Sequence, residues 1–304
     1  MPAPARADRI SLATFAAIAL IGGGNAVGVA IAVDELDPVW AAGLRFLTAG
    51  AVFALILLVM RIPIPRGKAL IGSAIYGLLG FSAAFALLSW GLQETPAGTA
   101  QTIIALVPLL TLFLAVGHGL ERFSFQAVIG ALLAFGGLVY LVADRIAVDV
   151  PPISMLAVVG GAAFLAESGV VLKLTPRTHP VATNAVGMLA GAVVLLVLSA
   201  AIGDEWILPS QADTWAAMVF LVVGGSLAVF GLFVFLLGRW QASSVSYVLL
   251  VMPLATIVYS AILTGEPITP ALFIGGAIIL GGVYIGALAP RRRAMASEDA
   301  ATSS

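Results

Sequence analysis

Residues 108–137 read PLLTLFLAVGHGLERFSFQAVIGALLAFGG, and residues 253–282 read PLATIVYSAILTGEPITPALFIGGAIILGG. Pro108 and Pro253, Glu121 and Glu266, Gly130 and Gly275, and Gly136-Gly137 and Gly281-Gly282 are each 145 positions apart, and the register holds without a gap from 97–143 to 242–288. A constant offset through a proline, a glutamate and three glycines marks an internal duplication. Each copy reads as an apolar helix with a proline near its middle, a short link carrying a glutamate, and a second apolar helix with small residues on one face.

The chain around these copies is 61% hydrophobic and 10% charged over 304 residues, with a mean hydropathy of +1.13, which excludes a water-soluble surface of ordinary polarity. It contains no cysteine, so disulfides, thiolate metal sites and cysteine nucleophiles are excluded. Net charge is −1, and the basic residues form no cluster interleaved with exposed aromatics, so nucleic acid is not an expected partner. Lys68 follows Arg66-Gly67 without the upstream glycine spacing of a phosphate-binding loop, so neither ATP hydrolysis nor an ATPase subunit is implied. His118 and His179 lack ligand-spaced companions. No metal, no cofactor and no set of catalytic residues is expected.

A bilayer core of about 30 Å is crossed by roughly 20 apolar residues in a helix. Ten such runs occur: 11–33, 39–60, 69–93, 97–117, 125–143, 153–174, 181–202, 215–237, 244–263 and 272–288. The first is longer than the apolar core of a signal peptide and has a counterpart in the second half, so it is read as a retained helix. The links are short and leave no room for an extramembrane catalytic domain. The expected organisation is a first five-helix repeat over residues 1–147, a second over 148–290, and a disordered tail over 291–304.

Lysine and arginine assign the sides. Arg6, Arg9, Arg61, Arg66, Lys68, Arg122, Lys173, Arg177, Arg239 and Arg291-Arg292-Arg293 fall at the termini or in and beside the even-numbered links, whereas the odd-numbered links hold Arg145 alone. This bias predicts that both termini are cytoplasmic. Because five is odd, the second repeat enters the membrane from the side opposite to the first. The fold class that follows is an all-α membrane protein of ten transmembrane helices arranged as two inverted five-helix repeats.

Between the first helices of the repeats the offset is 142, from Asp37-Pro38-Val39 to His179-Pro180-Val181, and it places Asn25 opposite Glu167. A pseudo-two-fold axis would bring this pair toward the bilayer centre, where inverted-repeat transporters hold substrate. An intramembrane carboxylate is costly unless paired, protonated or hydrated, so Glu167 is read as functional against the alternative of a protonated group bonded to a neighbour. Asn25 is open to a substrate contact or to an interhelical hydrogen bond. Gln101 and Thr102, matched in the repeat by Ser246 and Tyr247, are placed on a cavity wall, and Tyr76, Phe164 and Ser168 are further candidates for substrate binding. Arg45, the one basic residue deep inside a span, is assigned a structural role, pairing with Asp34, Glu35 or Asp37 or snorkelling outward, over direct substrate contact. Glu121 and Glu266, at helix ends that the interface can hydrate, are assigned gating or capping roles. Pro108 and Pro253 are expected to free the carbonyls near Ile104 and Leu249 and to bend their helices.

With Asn25, Pro38, Leu44-Arg45-Phe46, Pro108, Glu121, Gly130, Gly136-Gly137 and the second copy's Pro253, Glu266, Gly275 and Gly281-Gly282, nearly the whole chain resembles the drug/metabolite transporter superfamily, EamA type. In the second copy Gly187 stands where Arg45 would be matched, so that position is asymmetric. The resemblance implies secondary export of metabolites, often amino acids, and is nearest to the YddG-type aromatic amino acid exporters. The expected function is therefore inner-membrane export of amino acids or related small metabolites by alternating access around a midplane cavity, with the lipid bilayer and a small-molecule solute as the implied partners. The alternatives are export of cationic drugs or another metabolite class, a passive channel and a membrane-embedded enzyme. A channel would carry polar residues through the full thickness, and an enzyme would need several convergent acid, base or nucleophile groups.

Overall fold

The computed structural model describes residues 9–95, 97–143, 150–264 and 270–289, and all regular structure among them is helical. Nine helices among these residues have the length and apolarity to cross a membrane, and a tenth, Phe125–Leu141, is shorter at 17 residues. In chain order they are α1 (Arg9–Val33), α2 (Pro38–Val59), α3 (Lys68–Gly91), α4 (Ala97–Ile104 and Val107–Gly117), α5 (Phe125–Leu141), α6 (Pro152–Leu174), α7 (Pro180–Ile202), α8 (Ala212–Leu237), α9 (Ala242–Ser246 and Val248–Thr264) and α10 (Pro270–Leu288). Glu266, the expected boundary at 147/148 and the tail 291–304 lie outside the described residues.

The start signals are local. Proline opens α2, α6 and α7, where its missing N–H is one the helix could not use, and the Ser124 hydroxyl caps α5 by accepting from the Ala127 amide at 3.3 Å. Gly203 ends α7 at φ +86°, a left-handed conformation that turns Asp204 back onto the helix.

The two prolines do not act as a matched pair, because Pro108 marks a break in its helix and Pro253 does not. At Pro108 the helix is interrupted: its first piece stops at Ile104, the Leu106 amide takes the Ile103 carbonyl at 3.0 Å, and Pro108 sits in the first turn of the next piece. In the second copy the interruption falls earlier, at Tyr247, and Pro253 lies within a continuous helix. The third helix of each repeat carries a π-helical turn, Leu78–Ala83 in α3 and Val223–Ala228 in α8. These turns are again 145 positions apart, so the repeat register extends into the third helices. Such turns are frequent at functional sites.

Repeat mates pack on one another. The two most extensive helix pairings are α2 with α7 and α5 with α10. Along the second seam glycines bring backbones together: a β-carbon at Gly130 would lie 2.4 Å from Gly286 Cα, and one at Gly282 would lie 2.5 Å from the Gly130 carbonyl oxygen. Van der Waals packing of this kind drives helix association where lipid supplies no hydrophobic force. The outward-facing Leu55, Leu58, Ile129, Ile262, Phe273 and Leu280 are exposed, as a lipid-facing girdle requires.

The α1–α2 and α7–α8 links latch together at one end of the bundle. Asp204 Oδ2 accepts from the Trp40 amide at 3.1 Å, capping α2 from across the fold, while Asp37 Oδ2 accepts from the Glu205 amide at 2.8 Å. Trp40 Nε1 donates to the Ile207 carbonyl at 2.7 Å, and the Trp40 and Trp206 rings stack at 4.8 Å. Glu35 Oε1 accepts from the Ser210 hydroxyl at 2.6 Å and its amide at 2.5 Å. Hydrogen bonds from the side chains of Ser210 and Thr214, then from the Ser210 backbone, hold the Glu35 carboxyl down at about 2. The stabilisation it contributes is complete above its ordinary value of 4.5 and is lost as pH falls toward 2. The thermal-stability advantage of wild type over Glu35→Gln is therefore expected to be constant near neutrality and to shrink on acidification below that value; an advantage independent of pH would show that the carboxylate is not engaged.

Candidate functional site

A cavity of about 160 Å³ lies midway along the bundle. Its walls come from α1, α3 and α4 of the first repeat and from α6, α8 and α9 of the second, the same three helices of each. The tightly paired α2, α5, α7 and α10 contribute none of the lining and form the frame around it. The wall is largely apolar, with Phe81, Phe85, Phe230 and Phe233 its bulkiest members, and its polar groups come from Asn25, Tyr76, Thr111, Ser168 and Ser246. Three of those are satisfied locally: Thr111 donates to the Val107 carbonyl at 2.7 Å, Ser168 to Leu165 at 2.7 Å and Ser246 to Ser243 at 2.8 Å. Asn25 Oδ1 and the Tyr76 hydroxyl are buried without a hydrogen-bond partner. These two atoms hold the cavity's unused hydrogen-bonding capacity.

The π-helical turns place matched glycines against polar side chains: Gly80 lines the cavity itself, and Gly225 stands against Asn25, which lines it. A β-carbon at Gly225 in α8 would lie 1.9 Å from Asn25 Oδ1 and 3.0 Å from Arg45 Nη2, and one at the matched Gly80 in α3 would lie 2.9 Å from Ser168 Oγ. Only a residue without a side chain admits these approaches.

Arg45 departs from the expected acid pair. Its nearby acids in sequence, Glu35 and Asp37, are engaged by the α7–α8 link, and Asp34 is not its partner either. Arg45 is 3% exposed, with Nε donating to Ser226 Oγ at 2.8 Å and Nη2 to the Gly225 carbonyl at 2.9 Å. Its guanidinium carbon lies 5.1 Å from the Phe46 ring centroid and 5.9 Å from that of Phe85, which lines the cavity. Among the described residues it has no carboxylate partner. At the matched crossing of α7 with α3, Gly187 replaces the arginine, and the helices close until a β-carbon at Gly77 would lie 1.9 Å from the Gly187 carbonyl oxygen. One crossing is propped open by a cation; its mate is shut backbone to backbone.

Glu167 does not face Asn25. Leu165, Ala166, Ser168 and Gly169 of α6 line the cavity while Glu167 turns toward the end of α4, where Oε1 meets His118 Nε2 at 2.9 Å and Oε2 is buried without a partner. The pair is partly open, with side chains 41% exposed for His118 and 23% for Glu167. Sequence spacing gave no sign of this pairing, because the histidine lies on a link 49 positions away.

Gln101, Thr102, Phe164 and Tyr247 are not among the lining residues. Phe164 points outward at 37% exposure. Tyr247 sits at the break in α9, its hydroxyl donating to the Ala127 carbonyl at 2.5 Å and its ring close against Gly286. It ties α9 to the α5–α10 seam. Glu121 is buried rather than hydrated, accepting from the Ser243 amide at 3.1 Å and from the Ser243 hydroxyl, so it caps the start of α9. Pro108 lies behind the cavity beside Val107, and Pro253 next to Met252.

The EamA-like transporter family matches the sequence twice, over residues 9–143 and 152–287. An uncharacterized transporter of Archaeoglobus fulgidus is 26% identical over 83% of this chain and 90% of its own. A probable terminal-alkyne amino-acid exporter of Streptantibioticus cattleyicolor is 28% identical over 73% of this chain and 74% of its own, and a probable amino-acid metabolite efflux pump of Escherichia coli is 24% identical over 91% and 94%. A solved crystal structure superposes with a TM-score of 0.80 at 20% identity, covering 95% of this chain and 99% of that one. That likeness bears on the fold alone.

Proposed function

Because the chain belongs to the EamA-like transporter family, we propose that it is a secondary transporter that exports amino acids or closely related small metabolites across the inner membrane, alternating access to the central cavity. The Lys/Arg asymmetry supports cytoplasmic termini, which puts the latched α1–α2 and α7–α8 links outside.

The observation that carries the amino-acid reading is Arg45, buried beside the unpartnered Asn25 Oδ1 and, among the described residues, without a carboxylate. An uncompensated guanidinium next to a cavity favours a solute with a carboxylate, for which its planar fork is suited. Asn25 Oδ1 in turn accepts from an ammonium group. The four phenylalanines accommodate an apolar side chain, so leucine and phenylalanine are the preferred solutes. A cationic drug would instead add a second positive charge beside Arg45, which a low-dielectric site penalises.

Counterflow in proteoliposomes preloaded with individual amino acids or cationic drugs tests this reading. Exchange of neutral amino acids is the expected result, and exchange confined to cationic compounds would overturn it.

The Glu167–His118 pair stands apart from the solute and holds a carboxylate oxygen with no partner, an arrangement suited to carrying a proton. Glu167→Gln is expected to leave the KM for the solute within about twofold of wild type, since the group makes no solute contact. It should flatten the dependence of transport rate on pH. Identical pH profiles for wild type and variant would reduce the pair to a structural tie.

A further inference from the structure

A second concavity, of about 300 Å³, opens at the end of the bundle opposite the latched links, between the end of α6, the α6–α7 link and the end of α8. Three cationic side chains, Lys173, Arg177 and Arg239, converge on it, together with Thr178, Thr183 and the first turn of α7. Among the described residues that line it there is no aspartate or glutamate. Lys173 is held in place by donating to the Trp240 carbonyl, and the Arg239 guanidinium lies 4.7 Å from the Phe235 ring centroid. Glu121, the carboxylate whose field reaches Lys173, is engaged by Ser243. Leu237 forms part of the wall of this recess and of the central cavity alike, so the two spaces adjoin.

Membrane orientation requires positive charge on one face of the bundle, but it does not require three like charges to gather around one recess, where they repel each other. The start of α7 adds the partial positive charge of a helix N-terminus. We propose that this recess is an oxyanion site at the mouth of the transport path, taking a carboxylate or phosphate group carried either by a small soluble anion or by a phospholipid headgroup. Its chemistry is independent of which solute crosses the membrane.

The cysteine-free chain permits a direct test on the full-length protein in a neutral detergent. A cysteine is placed in the recess by Thr178→Cys, and a second on the same face but outside it by Ile64→Cys, between Arg61 and Arg66. Each is converted at low salt to a mixed disulfide, with loss of methanesulfinate, by sulfonatoethyl methanethiosulfonate, an anion, and by trimethylammonioethyl methanethiosulfonate, a cation. The anion-to-cation rate ratio is expected to be about tenfold higher in the recess than at the control, the scale of electrostatic focusing by a charged cleft. Arg177→Gln with Arg239→Gln, both at exposed positions, should bring the two ratios together.

Inorganic phosphate and dihexanoyl phosphatidylglycerol are then added as competitors, with dihexanoyl phosphatidylcholine, zwitterionic and without net charge, as the control for net headgroup charge. Protection of the recess cysteine by phosphate identifies a soluble oxyanion as the occupant, and protection by phosphatidylglycerol alone identifies the lipid headgroup. Equal rate ratios at the two positions, or protection by none of the anions, would overturn the proposal.

Discussion

Arg45→Gln is expected to lower transport by about ten- to hundredfold, the equivalent of the roughly 1.5–3 kcal/mol that a hydrogen bond to a charged group contributes. The guanidinium is held by Ser226 Oγ and the Gly225 carbonyl beside Asn25, so removing it takes away the positive charge adjoining the cavity while glutamine can keep one of its two bonds. Arg45→Lys should not restore the rate, because a single ammonium cannot span both acceptors and still present a planar fork to a carboxylate. Uptake into proteoliposomes, read together with thermal stability on the same preparations, separates loss of transport from loss of fold. A folded Arg45→Gln protein transporting at the wild-type rate would remove the arginine from the transport cycle.

Gly77→Ala should have the largest effect on folding. Its β-carbon would lie 1.9 Å from the Gly187 carbonyl oxygen, and the obstacle is backbone on a tightly packed helix rather than the end of a side chain. Overpacking costs about 1–3 kcal/mol where neighbours can shift and more where they cannot. Detergent extraction followed by size exclusion should yield little monodisperse Gly77→Ala protein. Gly136→Ala and Gly281→Ala meet nothing within 4 Å and should behave as wild type. Normal yield and stability of Gly77→Ala would mean that α3 and α7 do not cross at that point.

The two glycine pairs of the repeat show what a sequence carries and what it does not. Gly136-Gly137 and Gly281-Gly282 declare the duplication, yet they do not say which member of each pair is used. In both copies the second packs against backbone, Gly137 on Gly275 and Gly282 on Gly130, while the first faces open space. Helix number and ends were legible because they depend on runs of apolar residues bounded by proline, charge and turn residues. Every helix here agrees with its expected span within three residues at either end.

The direction of a polar side chain was not legible, because α1 and α6 are apolar nearly all round and no polar face marks how they are turned. Glu167 and Ser168 are neighbours in sequence, but on a helix adjacent residues point about 100° apart. Ser168 reaches the cavity; Glu167 reaches His118. The partners of Arg45 are hidden in the sequence for a related reason. Two of its local acids, Glu35 and Asp37, are taken by partners more than 160 positions away, and no local pattern announces such a competition.

The unequal crossings, Arg45 between α2 and α8 and Gly187 between α7 and α3, bear on why the two repeats share one polypeptide. A dimer of identical five-helix chains would have to place the same residue at both crossings. With arginine at each, two guanidinium groups would face one small apolar chamber; with glycine at each, neither charge nor prop would remain. Covalent fusion frees the halves to diverge, so a single cation can be set on one side of the symmetry axis and a solute with distinct ends can be held in one orientation.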